Sequence, residues 1–176
     1  MKLVILLLVV FSTVSFFPYK RKQPLTGQLR DKYVTALISY KGNVYAPYGD
    51  QNGISCSTLV RQALIDAIGS DKVSHAAIES HPCLSEELNE GCSGELSPVL
   101  HAANLKTIDY TKLKKGDIAV LGNTLGIHTL AYIGDETWIH ADPISGKVIE
   151  SKEPEEDDDW TTFQVNVMRW NILKDH

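Results

Sequence analysis

Cys56, His128 and His140 have the residue types, and the order along the chain, of a thiol nucleophile with an imidazole base and an orienting partner. A thiol is a weak nucleophile until it loses its proton. A helix start favours the thiolate through the partial positive charge of its unpaired N–H groups. A histidine within hydrogen-bond reach takes the proton and returns it to the leaving group, and a further polar residue fixes the imidazole tautomer. Cys56 falls where a loop gives way to a helix. Residues 44–54 (VYAPYGDQNGI) are turn formers, Ser55 can cap, and Leu59, Val60, Ala63, Leu64, Ala67 and Ile68 form an apolar stripe that stops at Gly69. His128 opens the run HTLAYIG and His140 lies in TWIHAD, an even spacing away. A hairpin turning at Gly134–Asp135 would set both on one face of a sheet. Taken singly, a cysteine is more often an inert buried thiol and a strand histidine more often structural. The three together point to nucleophilic catalysis. His81, His101 and His176 have no such partner and read as surface residues.

These side chains need elements to hold them. Residues 30–41 carry Tyr33, Leu37 and Tyr40 at helical spacing, and Gly42-Asn43 ends that helix. Residues 70–106 are polar and uneven, with short helical pieces expected, one near 96–104 (LSPVLHAAN). The second half changes character. GDIAVLG, HTLAYIG, TWIHAD, KVIES and TFQVNVMRW are short runs rich in β-branched and aromatic residues with tight connections between them. Helices first and about five antiparallel strands after them give an α+β fold. The acidic run at 153–160 (EPEEDDDW) reads as a solvated loop. It lacks the glycine and ligand spacing of a calcium loop.

Bulk properties narrow the partners. The net charge is -5 and no lysine–arginine stripe is present in the folded part, so nucleic-acid binding has no electrostatic support. Nothing in the sequence calls for a cofactor or a metal, and a monomer is expected. The chain opens Met1-Lys2 and then runs apolar or small from Leu3 to Phe17, the length of a secretory h-region and short for a membrane span. Residues 1–17 are read as a signal peptide, with an uncleaved N-terminal anchor as the alternative, the only route by which the membrane would be a partner. Residues 18–29 read as a linker and 30–176 as a single domain. Either N-terminal reading exports the protein. In an oxidising compartment Cys83 and Cys92 read as a disulfide closing a small loop, which leaves Cys56 as the odd thiol. Zinc held by these two with His81 and His101 is a weaker reading.

Three segments in order resemble the NlpC-type cell-wall cysteine peptidases. GNVYAPYGDQNGISCSTLV resembles the nucleophile segment of that family. LKKGDIAVLGNTLGIHTLAYIGDETWIHAD is similar to its histidine-bearing half, and VNVMRWNIL to its closing strand. The resemblance covers residues 30–172. It implies a papain-like α+β fold and hydrolysis of peptide bonds in peptidoglycan stems, with Cys56 as nucleophile, His128 as base and acid, and His140 as orienting residue. Tyr45 or Tyr48 would be the tyrosine beside the nucleophile, and Ser55 and Ser57 would flank it in the substrate-recognising corner. The departures fall in that corner. Ser55 stands where the family has aspartate, Thr58 where it has glycine, and Thr129 where it has valine. They motivate a second reading, a relative of the same fold performing acyl transfer or thioester or lipid hydrolysis through the same acyl-enzyme chemistry. A catalytically silent binding domain is the third.

Overall fold

The computed structural model describes residues 26–49, 53–69, 78–80, 82–122, 128–152 and 162–174. The N-terminal apolar run and the acidic run at 153–160 lie outside the described residues, as do His81 and His176. Among the described residues no helix is long and apolar enough to cross a membrane.

Helix α1 spans Thr26–Ser39 and α2 spans Cys56–Ile68. α1 therefore begins inside the stretch expected to be linker. It buries Leu29, Tyr33, Val34 and Leu37 at a spacing that puts them on one face. α2 buries Leu59, Val60, Ala63, Leu64 and Ala67, and Gly69 ends it in a positive-φ cap (φ 65). The two helices are locked by a buried polar contact: the Tyr33 hydroxyl donates to the carbonyl of Val60 at 3.1 Å and accepts from Trp170 Nε1 at 3.3 Å. A short third helix, α3, spans Ser85–Asn89.

The sheet is antiparallel and six-stranded in the order β1-β6-β2-β3-β4-β5, where β1 is Leu96–Ala102, β2 Ile118–Leu121, β3 His128–Gly134, β4 Thr137–Asp142, β5 Lys147–Lys152 and β6 Val165–Trp170. β1 corrects the expected helix near 96–104. Its apolar residues fit a period of 2 as well as one of 3.6, and pairing with β6 (Leu96 opposite Trp170, Ala102 opposite Val165) decides between them. Pro98, which has no N–H to donate, sits at a register shift on this edge strand.

Both faces of the sheet are covered. Ile118, Val120, Ala131, Ile139, Ala141, Met168 and Trp170 pack under α1 and α2. Ala119, Leu121, Leu130, Tyr132, Trp138, Val165 and Val167 pack under the segment carrying Leu105 and Ile108. That is why β2 reads as an unbroken apolar run: all four of its residues are buried.

Candidate active site

The nucleophile corner is built from two strand-like contacts and a helix cap. Tyr45 bridges Ile54 in parallel, with the N–H of Ile54 donating to Val44 O at 2.9 Å and the N–H of Ala46 to Ile54 O at 3.1 Å. Gly53 permits this approach, since a Cβ there would lie 2.6 Å from Val44 O. The chain then reaches Ser55, whose side chain accepts the N–H of Thr58 and caps α2. Cys56 is the first residue of the helix and is half-buried.

The departures from the family pattern have a shared structural use. The Ser55 hydroxyl donates to Thr58 Oγ1 at 2.8 Å and lies 3.4 Å from Ser57 Oγ. Thr58 in turn fills the space over Gly49, where a Cβ would come within 2.9 Å of the Thr58 Cβ. Gly49 also has φ 61, a conformation that disfavours any side chain. Gly49→Ala is therefore expected to destabilise the fold by about 1–3 kcal/mol. Adding Thr58→Gly should recover part of that loss, because it removes the collision but not the backbone strain. Chemical denaturation of the single and double variants checks this; a Gly49→Ala midpoint equal to wild type would overturn it.

The two histidines meet. His128 Nε2 lies 2.8 Å from His140 Nδ1, and the rings stand edge to face at a centroid distance of 5.0 Å. The hairpin that joins them turns at Asp135 and Glu136, both at positive φ, after a register shift between Tyr132 and Gly134. Ala131 opposes Ile139, so His128 and His140 are diagonal neighbours on one face. Burial, reinforced by the nearby His140, pushes the His128 imidazole down to about 3, against a smaller opposing pull from Asp142. His128 therefore rests neutral, the form that accepts a proton.

Asp142 was not singled out from the sequence, although it follows His140 by two residues on the same strand. Burial alone would raise its carboxyl. The hydroxyl and N–H of Ser145, the N–H of Ile144 and the charge of His140 outweigh that and hold it below the usual carboxylate range. Tyr45 is half-buried against the core, and its phenol is pushed up by burial first and then by charge on Cys56 and Asp142. Tyr48 is 90% exposed. Of the two tyrosines, Tyr45 shares the surroundings of the thiol. Ser55 and Ser57 are buried and engage each other at the helix start.

One more residue, Ser85, escaped the sequence reading. Ser85 Oγ lies 3.5 Å from Cys56 Sγ and 2.9 Å from Thr129 Oγ1, which ties the thiol to the start of β3 next to His128. The only trace of this in the sequence is threonine at position 129. Cys83 and Cys92 form a disulfide, with Cα atoms 5.4 Å apart, around α3. His101, read as an unpartnered surface residue, contacts Asn166 Oδ1 through Nδ1 at 2.7 Å.

No protein-family model and no curated protein sequence matches this chain. Solved structures match it in fold. The peptidoglycan hydrolase RipB from Mycobacterium tuberculosis superposes with a TM-score of 0.53 at 22% identity, over 79% of this chain and 64% of that one. An N-acetylmuramoyl-L-alanine amidase from Bacteroides uniformis gives 0.60 at 14% identity, over 82% and 99%. RipD from M. tuberculosis, a non-catalytic NlpC/p60 domain protein adapted to peptidoglycan binding, gives 0.54 at 14% identity, over 81% and 97%. An α+β chain with helices packed on this antiparallel sheet, matched along its length by these domains, has the NlpC/P60 fold.

Proposed function

We propose that this chain is an exported cysteine hydrolase that cleaves peptide bonds in peptidoglycan stem peptides, with Cys56 as nucleophile, His128 as general base and acid, and His140 as the orienting residue. The observation that carries the reading is the 2.8 Å contact between His128 Nε2 and His140 Nδ1 on β3 and β4, the strands that pack against α2, whose first residue is Cys56. The substrate class is supported by the shared fold, since RipB is a peptidoglycan hydrolase and the Bacteroides protein an amidase. Export is supported by the apolar N-terminal run and by the Cys83–Cys92 disulfide.

In this reading the His128 Nε2–H donates to His140 Nδ1, which leaves the His128 Nδ1 lone pair for the thiol proton. Cys56 Sγ attacks the carbonyl carbon and a tetrahedral oxyanion forms. The departing amine takes the proton from His128, and water then cleaves the thioester with His128 as base. Tyr45 is the tyrosine that borders the reacting carbonyl. A carboxylate beside the nucleophile would bind a free peptide amine. Ser55 itself supplies none.

Purified protein incubated with disaccharide-peptide fragments of defined stem sequence should release peptides resolved by mass spectrometry, and Cys56→Ala should abolish release. Product formation by Cys56→Ala at the wild-type rate would sink the assignment. Stoichiometric binding of muropeptides without any turnover by the wild-type protein would instead favour the binding-domain reading.

A further inference from the structure

α3 is held across the sheet by polar side chains on one of its faces. Ser85 and Asn89, four residues apart, lie on the same side of the helix. Ser85 meets Thr129 on β3 at 2.9 Å, and Asn89 Oδ1 accepts from Asn166 Nδ2 on β6 at 2.7 Å. Thr129 and Asn166 both pair with Val120, from opposite sides of β2, so they share a sheet face. Leu88 is fully buried between the two contacts. At its start, the Leu84 N–H donates to Glu87 Oε2 at 2.9 Å, and the Cys83–Cys92 disulfide closes the loop around the helix. The effect is to set Ser85 Oγ 3.5 Å from Cys56 Sγ.

Thr129 is wholly buried, so its hydroxyl needs an internal partner, and Ser85 Oγ provides one. A serine hydroxyl has one proton and two lone pairs. When Thr129 donates to Ser85, the Ser85 proton is left to point at sulfur. A hydroxyl donating to a thiolate is a charge-assisted bond, and it favours the ionised form.

We propose that Ser85 is a further catalytic residue that donates to the Cys56 thiolate, and that Thr129 is a positioning residue that orients the Ser85 hydroxyl toward it. The proposal rests on Cys56 being the reactive thiol. It explains Thr129 as well. Valine has the same shape there but cannot donate, so threonine at this position belongs with a serine delivered by the disulfide-closed loop.

The test uses the full chain without reductant, so that Cys56 is the thiol available to iodoacetamide. Second-order alkylation rates are measured from pH 5 to 10, and the labelled site is confirmed by peptide mass spectrometry. Ser85→Ala should move the midpoint of the profile up by about one pH unit, with a roughly tenfold slower reaction on the acid side of the wild-type midpoint. Ser85→Thr should restore the wild-type midpoint. Thr129→Val, which keeps shape and folding, should shift the midpoint in the same direction by a smaller amount, and Thr129→Ser should not shift it. A loosened fold would raise accessibility and reaction at every pH, without this upward shift. Wild-type profiles in Ser85→Ala and Thr129→Val would overturn the proposal. Because alkylation requires no substrate, a protein that cleaves no stem peptide yet shows these shifts would refute the proposed function and leave this inference standing.

Discussion

His128→Ala is expected to lower kcat/KM for stem-peptide hydrolysis by roughly 10³–10⁴-fold, the loss that follows when a thiol or hydroxyl nucleophile is deprived of its base. The folded geometry makes His128 the residue to test. It is 2% exposed, contacts His140 at 2.8 Å, and follows a thiol-bearing corner to which its neighbour Thr129 is tied through Ser85. His140→Ala should cost less, about 10–100-fold, because it removes orientation and leaves the base in place. His140→Asn, which can still accept a hydrogen bond, should recover part of that loss. Steady-state kinetics on one defined muropeptide separates the three variants. Equal rates for His128→Ala and wild type would exclude His128 as the base.

The same residue shapes the acid limit of the fold. Burial holds the folded imidazole at about 3, below its ordinary value of 6.5. Between those values the unfolded chain binds a proton that the folded chain does not, so stability rises with pH across that window. The contribution is complete above pH 6.5 and is lost as pH falls toward 3. From pH 7 to 4.5 the loss attributable to His128 is roughly 2–3 kcal/mol. A neutral side chain at this position, as in His128→Gln, should flatten the dependence of the melting temperature over that range. The depressed value also bears on chemistry. An imidazole that rests neutral is in the form that can accept a thiol proton, which is what the proposed mechanism asks of it.

What could be read from the residues depended on how local the determining contacts are. The α2 stripe, its Ser55 cap and its Gly69 stop lie within one stretch of chain, and Cys56 was placed at the helix start from them alone. His128 and His140 were placed together because an even spacing across a two-residue hairpin preserves the face, even though the turn falls at Asp135–Glu136, one residue later than expected. β1 was not legible. Its run LSPVLHA satisfies both periods, and its partner β6 lies more than sixty residues away. Ser85 was out of reach for the same reason, being 29 residues from Cys56 and 44 from Thr129. The choice between Tyr45 and Tyr48 depended on how the 44–49 loop lies against β5, through the Val44–Lys147 bridge and the Tyr45 N–H to Gly146 O bond of 2.9 Å.

Asp117→Ala is expected to destabilise the protein by about 3–5 kcal/mol, the cost of leaving one partner of a buried ion pair alone. Asp117 is fully buried at the start of β2. Its two oxygens accept from Arg169 Nε and Nη2 at 2.6 Å each, and Oδ2 also accepts the N–H of Lys114 at 2.8 Å. The pair joins the turn before β2 to β6, and the Asp117 carbonyl accepts the N–H of Tyr132 on β3 at 2.8 Å. One residue thus ties together the three central strands. Asp117→Asn keeps the shape but loses the charge, and should cost about 1–3 kcal/mol. Replacing both partners, Asp117→Ala with Arg169→Leu, should be less damaging than Asp117→Ala alone, because no unpaired guanidinium remains. The pair sits at the Ile118 end of β2, whereas His128 pairs with Leu121 at the other end. Activity per folded molecule should therefore stay within about twofold of wild type while the folded fraction falls. Urea unfolding, with hydrolysis rates normalised to the folded fraction, distinguishes the two effects. A loss below about 1 kcal/mol in Asp117→Ala would show that the carboxylate does not carry the central strands.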